Sequence, residues 1–299
     1  MELSSHQKRL ATAFVLPIPL ILAMVLGGWA LFAVLLCFSL LGLWEFYSLF
    51  WPGGHNLGLK SGGLAAALVL LLACTGSDPV WLLLALMAAM WAGNLYFLGG
   101  WSRRGPQAAY GDSLVFFGGL AYVPLALHFF LRWPPLAILL ALAAAVATDT
   151  GAFYAGSYLG KAKIWPSVSP KKTWMGSLGG LAACMAVTAL MGALFGEAPV
   201  WAWLALGLWL NLAAQFGDFF ESALKRKLEV KDSGAILPGH GGLLDRIDSL
   251  LLVAPAYALA VALFPDLLLF GDITSVWAPL AGPLALPGPL PAPPILPGM

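Results

Sequence analysis

The sequence predicts an all-α, polytopic integral membrane protein with about nine transmembrane helices, a cytosolic N-terminus and a C-terminus outside. Composition is the first observation, since 61% of the 299 residues are hydrophobic and 10% are charged, against about 25% charged in an ordinary soluble domain. The second is the grouping of apolar residues into runs near the roughly 20 that a spanning helix needs. The net charge of +1 excludes a strongly basic nucleic-acid-binding surface.

Polar, glycine and proline breaks divide the chain into the predicted spans. They are residues 11–26, 28–49, 62–76, 79–99, 113–131, 135–155, 174–196, 199–220 and 243–264. The first run follows Lys8 and Arg9 but has no convincing signal-peptide cleavage site, so we interpret it as a retained helix.

Basic residues set the orientation of these spans. With a cytosolic N-terminus, the inner loops are 50–61, 100–112, 156–173 and 221–242, and of the 15 Lys and Arg residues only Arg132 falls outside. The positive-inside rule therefore predicts that the N-terminus and these loops face the cytosol.

Acidic residues lie within or beside several spans, where each costs roughly 2.5–3.5 kcal/mol at a helix centre and less near an end. They are Glu45, Asp149, Asp218, Glu221, Asp245 and Asp248. On the predicted topology all of them lie at cytosolic helix ends, so we expect carboxylates from several helices to meet at one depth. For Glu45, pairing with a neighbouring helix and a role in a site are equally compatible with the sequence.

Residues 215–248 contain the densest pattern. Four polar side chains share one face of a helix: Gln215, Asp218, Ser222 and Lys225. Asp245 and Asp248 share a face at the start of the next span. Because hard divalent cations prefer oxygen ligands, these two carboxylates and Asp218 predict a cation site. The alternative is structural ion pairing with Arg246 or Lys225.

Basic and glycine-rich residues beside these carboxylates predict phosphate binding. Lys225, Arg226 and Lys231 supply positive charge, and the glycines of residues 238–242 let backbone N–H groups approach an anion. In that turn, His240 either contributes to the site or caps the turn. Carboxylates, basic side chains and glycine-rich turns together are typical of phosphoryl- or nucleotidyl-transfer sites.

A second polar segment follows the sixth span. Asp149 ends a long apolar run, and Lys171 and Lys172 lie in a basic turn, where we favour substrate contact. Lys161 and Lys163 are interpreted instead as charges that enforce topology or attract anionic lipid. The seventh span carries glycines that allow close helix packing or a nearby ligand: Gly176, Gly179 and Gly180.

These motifs resemble the signature of the phosphatidate cytidylyltransferases, also called CDP-diacylglycerol synthases. The resemblance is carried by Ser222-Ala-Leu-Lys225-Arg226, by Lys231-Asp232 and by the gapless run from Leu237 to Asp248, LPGHGGLLDRID. Residues 149–152, 169–174 and 215–222 also resemble that family, so the similarity covers roughly the C-terminal half. Met175 departs from the family pattern, which usually carries Glu there.

The resemblance implies a reaction in which CTP and phosphatidic acid give CDP-diacylglycerol and pyrophosphate. It implies Mg²⁺ with a second cation, a homodimer, a membrane-lipid environment and the cytosolic face of a bacterial inner membrane, with no nucleic-acid partner. The catalytic residues would be Asp218, Asp245, Asp248, Lys225, Arg226 and His240, and the three aspartates would be the cation ligands. The substrate-binding residues would be Asp149, Lys171, Lys172, Ser222, Lys231, Asp232, Gly241, Gly242 and Arg246.

We therefore expect three regions along the chain. Residues 1–110 would form a scaffold of transmembrane helices. Residues 111–264 would form the catalytic region, with cytosolic loops at 156–173 and 221–242. Residues 265–299 would form an apolar, proline-rich tail, because closely spaced prolines prevent helix formation.

Two other functions remain as alternatives. An ion-coupled transporter would spread its acidic residues through the membrane depth and show repeated halves, whereas here they gather at one face. Another membrane phosphotransferase, acting on a lipid or isoprenoid phosphate, is the closer alternative. The type that consumes CDP-linked lipids needs an Asp-Gly-x-x-Ala-Arg helix, and this chain has Asp149-Thr-Gly-Ala152 without the arginine.

Overall fold

The computed structural model describes residues 17–236, 241–265 and 270, and these residues form a bundle of α-helices. The helices are α1 (Pro17–Leu26), α2 (Gly28–Phe50), α3 (Leu57–Thr75), α4 (Val80–Arg104), α5 (Gly111–Tyr122), α6 (Pro124–Leu127), α7 (Pro135–Leu159), α8 (Trp174–Phe195), α9 (Val200–Lys227) and α10 (Leu244–Leu263). Short 3₁₀ turns follow α4 and α6, at Gly105–Gln107 and His128–Leu131. Within the described ranges, extended pairing is confined to two isolated bridges.

Eight segments of the described chain are long and apolar enough to cross a membrane. The segment α5, α6 and the following 3₁₀ turn together form one of them, Gly111–Leu131. The predicted all-α, polytopic membrane architecture is therefore confirmed. Of the predicted first span, α1 is the described part, while residues 11–16 lie outside the described residues, as does most of the predicted tail. The orientation of the termini stays a prediction.

Several helices extend farther than the sequence pattern predicts. The loop expected at 221–242 begins only after Lys227, because α9 continues for two further turns beyond the apolar run. Lys225, Arg226 and Lys227 occupy its last turn, where positive charge interacts favourably with the helix dipole. Likewise α3 begins at Leu57, inside the loop predicted at 50–61. Helices of a membrane protein need not end where their hydrophobic stretch ends.

Glycines bring α7 and α8 into close contact. A Cβ atom added to Gly151 would lie 2.6 Å from the carbonyl oxygen of Gly179, and one added to Gly180 would lie 2.7 Å from that of Thr148. Gly176 is similarly close to the α7 backbone. Small residues are what allow two membrane helices to approach this closely, so the close packing predicted for these glycines is confirmed.

The helix α9 packs against both α8 and α10. Near the end of α9 that is predicted to face the cytosol, a Cβ atom on Gly217 would lie 2.6 Å from the carbonyl oxygen of Asp248. This close approach brings the backbone beside Asp218 next to the first turns of α10, which is the arrangement that the polar motifs require.

Two basic residues have structural partners in the N-terminal half. Arg132 donates from Nε to the carbonyl oxygen of Cys74 at 3.0 Å, and its guanidinium also donates to the carbonyl of Gly76. These contacts cap the C-terminal end of α3, which accounts for a basic residue on the predicted outer side. Lys60, expected in a loop, is instead 1% exposed in the first turn of α3.

Candidate active site

A polar cleft opens between one end of α7, α8 and α9. Its volume is about 580 Å³. The charged and amide side chains that line it are Asp149, Lys163, Lys171, Lys172, Gln215 and Asp218. Three ammonium groups and two carboxylates thus face one space, alongside apolar walls such as Phe153 and Phe219. Such a cleft suits a ligand with several negative charges and an apolar part.

The turn between α7 and α8 builds the basic wall of this cleft. It is closed by an isolated bridge between Lys163 and Thr173, and the N–H of Ile164 donates to the carbonyl oxygen of Lys172 at 3.2 Å. The side chain of Thr173 then caps α8 by accepting from the N–H of Gly176 at 3.1 Å. These bonds fix the backbone that carries Lys171 and Lys172.

Lys172 connects this turn to α9. Its Nζ lies 2.6 Å from Oδ2 of Asp218 and 4.0 Å from the ring centroid of Phe219. Both side chains keep partial exposure, 24% and 33%, and both line the cleft, although the ammonium nitrogen of Lys172 is itself buried against its neighbours.

Lys163 lines the same cleft, a position that its interpretation as a topological charge did not predict. Its Nζ donates to the carbonyl oxygen of Lys171 at 3.4 Å, which places it beside the predicted substrate lysines. Its position follows from the bridge to Thr173 across the same turn, a pairing that the charge pattern of the sequence does not indicate.

A second charged cluster links α9 to α10. Lys225 pairs with Glu221 on its own helix and with Oδ1 of Asp245 on α10, the latter at 2.6 Å. The other oxygen of Asp245, Oδ2, accepts from the N–H groups of Ser233 and Gly242 at 2.9 and 2.8 Å. Asp245 is therefore held by an ammonium group on one side and by the glycine-rich turn on the other.

The carboxylates of α7, α9 and α10 lie within electrostatic reach of one another. Asp248 interacts with Asp218, Glu221 and Asp149. Asp149 also interacts with Lys172 and Arg246, and its Oδ1 accepts from the hydroxyl of Ser249 at 3.4 Å. The structure thus brings together the predicted acidic residues of three helices, and it places Arg246 close to them.

The remaining predicted site residues lie around these two centres. Ser222 Oγ donates to Asp218 Oδ1 at 3.3 Å, as expected for one polar stripe. Arg226 donates from Nε to the carbonyl oxygen of Val168 at 3.4 Å, so α9 also contacts the basic turn. Lys231 and Asp232 are exposed on the turn after α9. His240 lies outside the described residues.

Gly241 and Gly242 are the described residues of the glycine-rich turn, and both lie beside Asp245. Gly241 has a φ of +80°, a left-handed conformation that favours glycine. A Cβ atom there would lie 2.8 Å from Oδ2 of Asp245. Gly242 supplies one of the N–H groups that Asp245 accepts, so in this structure the turn binds a carboxylate of its own chain.

Tyr122, at the end of α5, is a polar residue near the site that sequence reasoning missed. Its hydroxyl is buried without a hydrogen-bond partner, and it interacts electrostatically with Asp248, Glu221 and Asp218. Its ring packs on Phe220 at 5.2 Å between centroids. No motif surrounds this residue, and only the contact between α5 and α9 reveals it.

The donor set fits a divalent cation chemically. Asp149, Asp218, Glu221 and Asp248 repel one another at this density, and hard cations with oxygen ligands relieve such repulsion. Within the described ranges, however, no group of three or more His, Cys, Asp or Glu side chains has a metal-binding arrangement. The ammonium groups of Lys172 and Lys225 instead occupy the positions next to the carboxylates.

Comparisons with known proteins agree with this chemistry. Residues 7–264 match the sequence profile described as the Cytidylyltransferase family. A Bacillus subtilis protein named phosphatidate cytidylyltransferase is 48% identical over 120 residues, which is 40% of this chain and 44% of that protein. Proteins of the same name from Staphylococcus aureus and Brucella abortus are 49% and 44% identical over 110 and 124 residues, covering 36% and 41% of this chain. These alignments span 42% and 46% of the two relatives, so the chain matches less than half the length of each.

Proposed function

This chain belongs to the cytidylyltransferase family, and we propose that it transfers CMP from CTP to phosphatidic acid, giving CDP-diacylglycerol and pyrophosphate. The observation that carries the proposal is the cleft in which Lys163, Lys171 and Lys172 face Asp149 and Asp218. Its basic wall suits the phosphates of both substrates, and its position at the end of membrane helices suits a lipid. The name shared by the three relatives supports the same substrates.

The reaction needs positioning and charge neutralisation more than acid–base chemistry. An oxygen of the lipid phosphate attacks the α-phosphorus of CTP, a new P–O bond forms, and the bond to the β-phosphate oxygen breaks so that pyrophosphate leaves. Because a phosphate monoester is largely ionised at neutral pH, the attacking oxygen requires no dedicated general base. The task of the protein is to bring two negatively charged groups together and to stabilise the charge of the transition state.

We assign Mg²⁺, with a second cation, to the carboxylates of α9 and α10. Asp218, Asp245 and Asp248 would hold these ions, since carboxylate oxygens are the ligands that Mg²⁺ prefers. When bound, the cations neutralise the phosphates and stabilise the charge of the leaving pyrophosphate. Lys172 and Lys225 also contribute positive charge beside these carboxylates, at 2.6 Å from Asp218 and Asp245.

The basic residues divide between the two centres. In the cleft, Lys163, Lys171 and Lys172 would bind substrate phosphates, and Asp149 would shape the nucleotide site. Around α9 and the following turn, the phosphate-binding side chains would be Ser222, Lys225, Arg226 and Lys231. Arg246, Asp232 and the glycine-rich turn with His240, Gly241 and Gly242 would complete the nucleotide site.

The cellular setting follows from the distribution of charge. Apart from Arg132, the basic residues lie in the segments predicted to face the cytosol, which favours a site on the cytosolic face of a bacterial inner membrane. CTP is supplied from that side, and phosphatidate would enter from the surrounding lipid. We further propose that the protein acts as a homodimer, as the family resemblance implies.

The proposal is tested with the purified full-length protein in detergent or in lipid vesicles. Supplied with radiolabelled CTP, phosphatidate and Mg²⁺, it is expected to form labelled CDP-diacylglycerol and to lose this activity in EDTA. An Asp218→Asn variant serves as the matched inactive control. If the protein transferred CMP to an isoprenoid phosphate but not to phosphatidate, the substrate assignment would be contradicted. That result would favour the other class of membrane phosphotransferase.

A further inference from the structure

We propose that Glu45 is a positioning residue for this reaction, because its carboxylate caps α10 and so holds Asp245 in place. The inference rests on the proposed function, in which Asp245 is a cation ligand. Glu45 lies on α2, in the region expected to serve as scaffold, and it is not one of the residues that line the cleft. Its contribution would therefore be made entirely through other residues.

The first step is the cap itself. Glu45 is 2% exposed, and its Oε2 accepts from the N–H of Leu244, the first residue of α10, at 2.8 Å. The first N–H groups of a helix lack partners within the helix, and the helix N-terminus favours negative charge. The N-cap residue Leu243 offers no side-chain cap. A carboxylate 199 residues away thus supplies what the local sequence lacks.

The second step is the packing of the glycine-rich turn on the same carboxylate. A Cβ atom on Gly242 would lie 2.6 Å from Oε2 of Glu45, and one on Gly234 would collide with Oε1. Ser233 also interacts with this side chain. The backbone at Gly234 and Gly242 can approach Glu45 this closely only because these two positions carry no side chain.

The third step connects these contacts to Asp245. Ser233 and Gly242 both lie against Glu45. The N–H groups of the same two residues donate to Asp245 Oδ2. The N–H of Asp245 in turn donates to Ser233 Oγ at 3.3 Å. Without the Glu45 carboxylate, both the turn and the first turn of α10 lose a shared partner, and the orientation of Asp245 towards Lys225 is no longer fixed.

The test compares Glu45→Ala and Glu45→Gln with the control Glu197→Gln, which removes a charge from an exposed loop. Three quantities are measured on the full-length protein: Mn²⁺ affinity by electron paramagnetic resonance, hydrogen exchange along the chain, and kcat and KM for CTP. For Glu45→Ala we expect Mn²⁺ affinity and kcat to fall by about 10- to 100-fold, the usual effect of losing a group that orients a metal ligand. Exchange should accelerate at 241–250 and stay unchanged in α7 and α8.

Glu45→Gln should recover most of the loss, because its amide oxygen still accepts from Leu244. A glutamine variant as defective as the alanine variant would overturn the capping account. Faster exchange throughout the bundle with unchanged Mn²⁺ affinity would also overturn it, since that pattern indicates general destabilisation. If the wild type forms no CDP-diacylglycerol while Glu45→Ala still shifts Mn²⁺ affinity and local exchange, the proposed function fails and the positioning role stands.

Discussion

The α2–α3 pair contains a buried lysine, Lys60, and the α9–α10 pair contains a half-buried one, Lys225, and the two are surrounded differently. Lys60 is 1% exposed and donates to neutral oxygens, Ser48 Oγ at 3.1 Å and the carbonyl of Gly53 at 3.4 Å. Lys225 instead lies between two carboxylates, those of Glu221 and Asp245. One site contains a single charge with neutral partners, and the other contains a network of charges drawn from two helices.

The difference separates a structural use of a buried charge from a functional one. A lone ammonium with neutral partners and the Trp44 ring at 4.9 Å joins two helix ends and offers no group to a ligand. A network of carboxylates and lysines costs more free energy to bury than a single charge does. Such networks are typical of sites that bind charged ligands. The comparison therefore predicts that substitutions at the α7–α10 centres change catalysis, whereas substitution at Lys60 changes only stability.

Asp245→Asn is expected to have the largest effect. It removes a proposed cation ligand and one of the two partners of Lys225, so activity should fall by more than about 100-fold, the upper range for groups that only support a metal ligand. CDP-diacylglycerol formation measures this, and gel filtration checks that the protein remains folded. The control is Asp78→Asn on an exposed loop. Near-normal activity of Asp245→Asn would remove this residue from the cation site.

Lys172→Met should come next. Its ammonium forms an ion pair with Asp218 at 2.6 Å and is proposed to bind a substrate phosphate. A charge-assisted hydrogen bond to that phosphate would contribute about 1.5–3 kcal/mol, so we expect a loss of roughly 10- to 100-fold in kcat/KM for CTP. The matched control is Lys161→Met, an exposed lysine of the same turn. Equal activities of the two variants would show that only the charge of the turn matters.

Lys163→Met should have a smaller effect. Its Nζ is held by a single long hydrogen bond of 3.4 Å to Lys171, so the expected rise in KM for CTP is about 2- to 10-fold, from the 0.5–1.5 kcal/mol of an ordinary hydrogen bond. Steady-state kinetics against Lys161→Met measure it. An unchanged KM would restore the topological interpretation of this lysine.

Lys60→Met should leave activity within about twofold of the wild type. It should lower stability instead, because it loses the hydrogen bonds to Ser48 and Gly53, each of which contributes about 0.5–1.5 kcal/mol. The measurement is the temperature at which half of the detergent-solubilised protein unfolds, with activity assayed well below it. A large loss of activity at full stability would contradict the comparison drawn here.

Sequence reasoning predicted the motifs of the candidate site better than it predicted the contacts between residues on different helices and turns. The stripe of Asp218 and Ser222 follows from helical spacing alone, and the structure confirms it with a 3.3 Å hydrogen bond. Helix ends were less predictable, since polar residues after an apolar run can continue a helix, as Lys225 does. Lys163 and Tyr122 were missed because their positions depend on a bridge and on a helix contact rather than on neighbouring residues.

The sequence by itself determined the membrane architecture, because hydrophobic length and composition act locally and leave few ways to satisfy a backbone in lipid. It also indicated the residues that we propose for the phosphate-transfer chemistry, since their types and spacings resemble a family signature. Only the tertiary structure decided the partners: Lys172 with Asp218, Lys225 with Asp245, and Glu45 with the start of α10. Those pairings join residues far apart in the chain, and close packing through glycines, rather than local preference, brings them into contact.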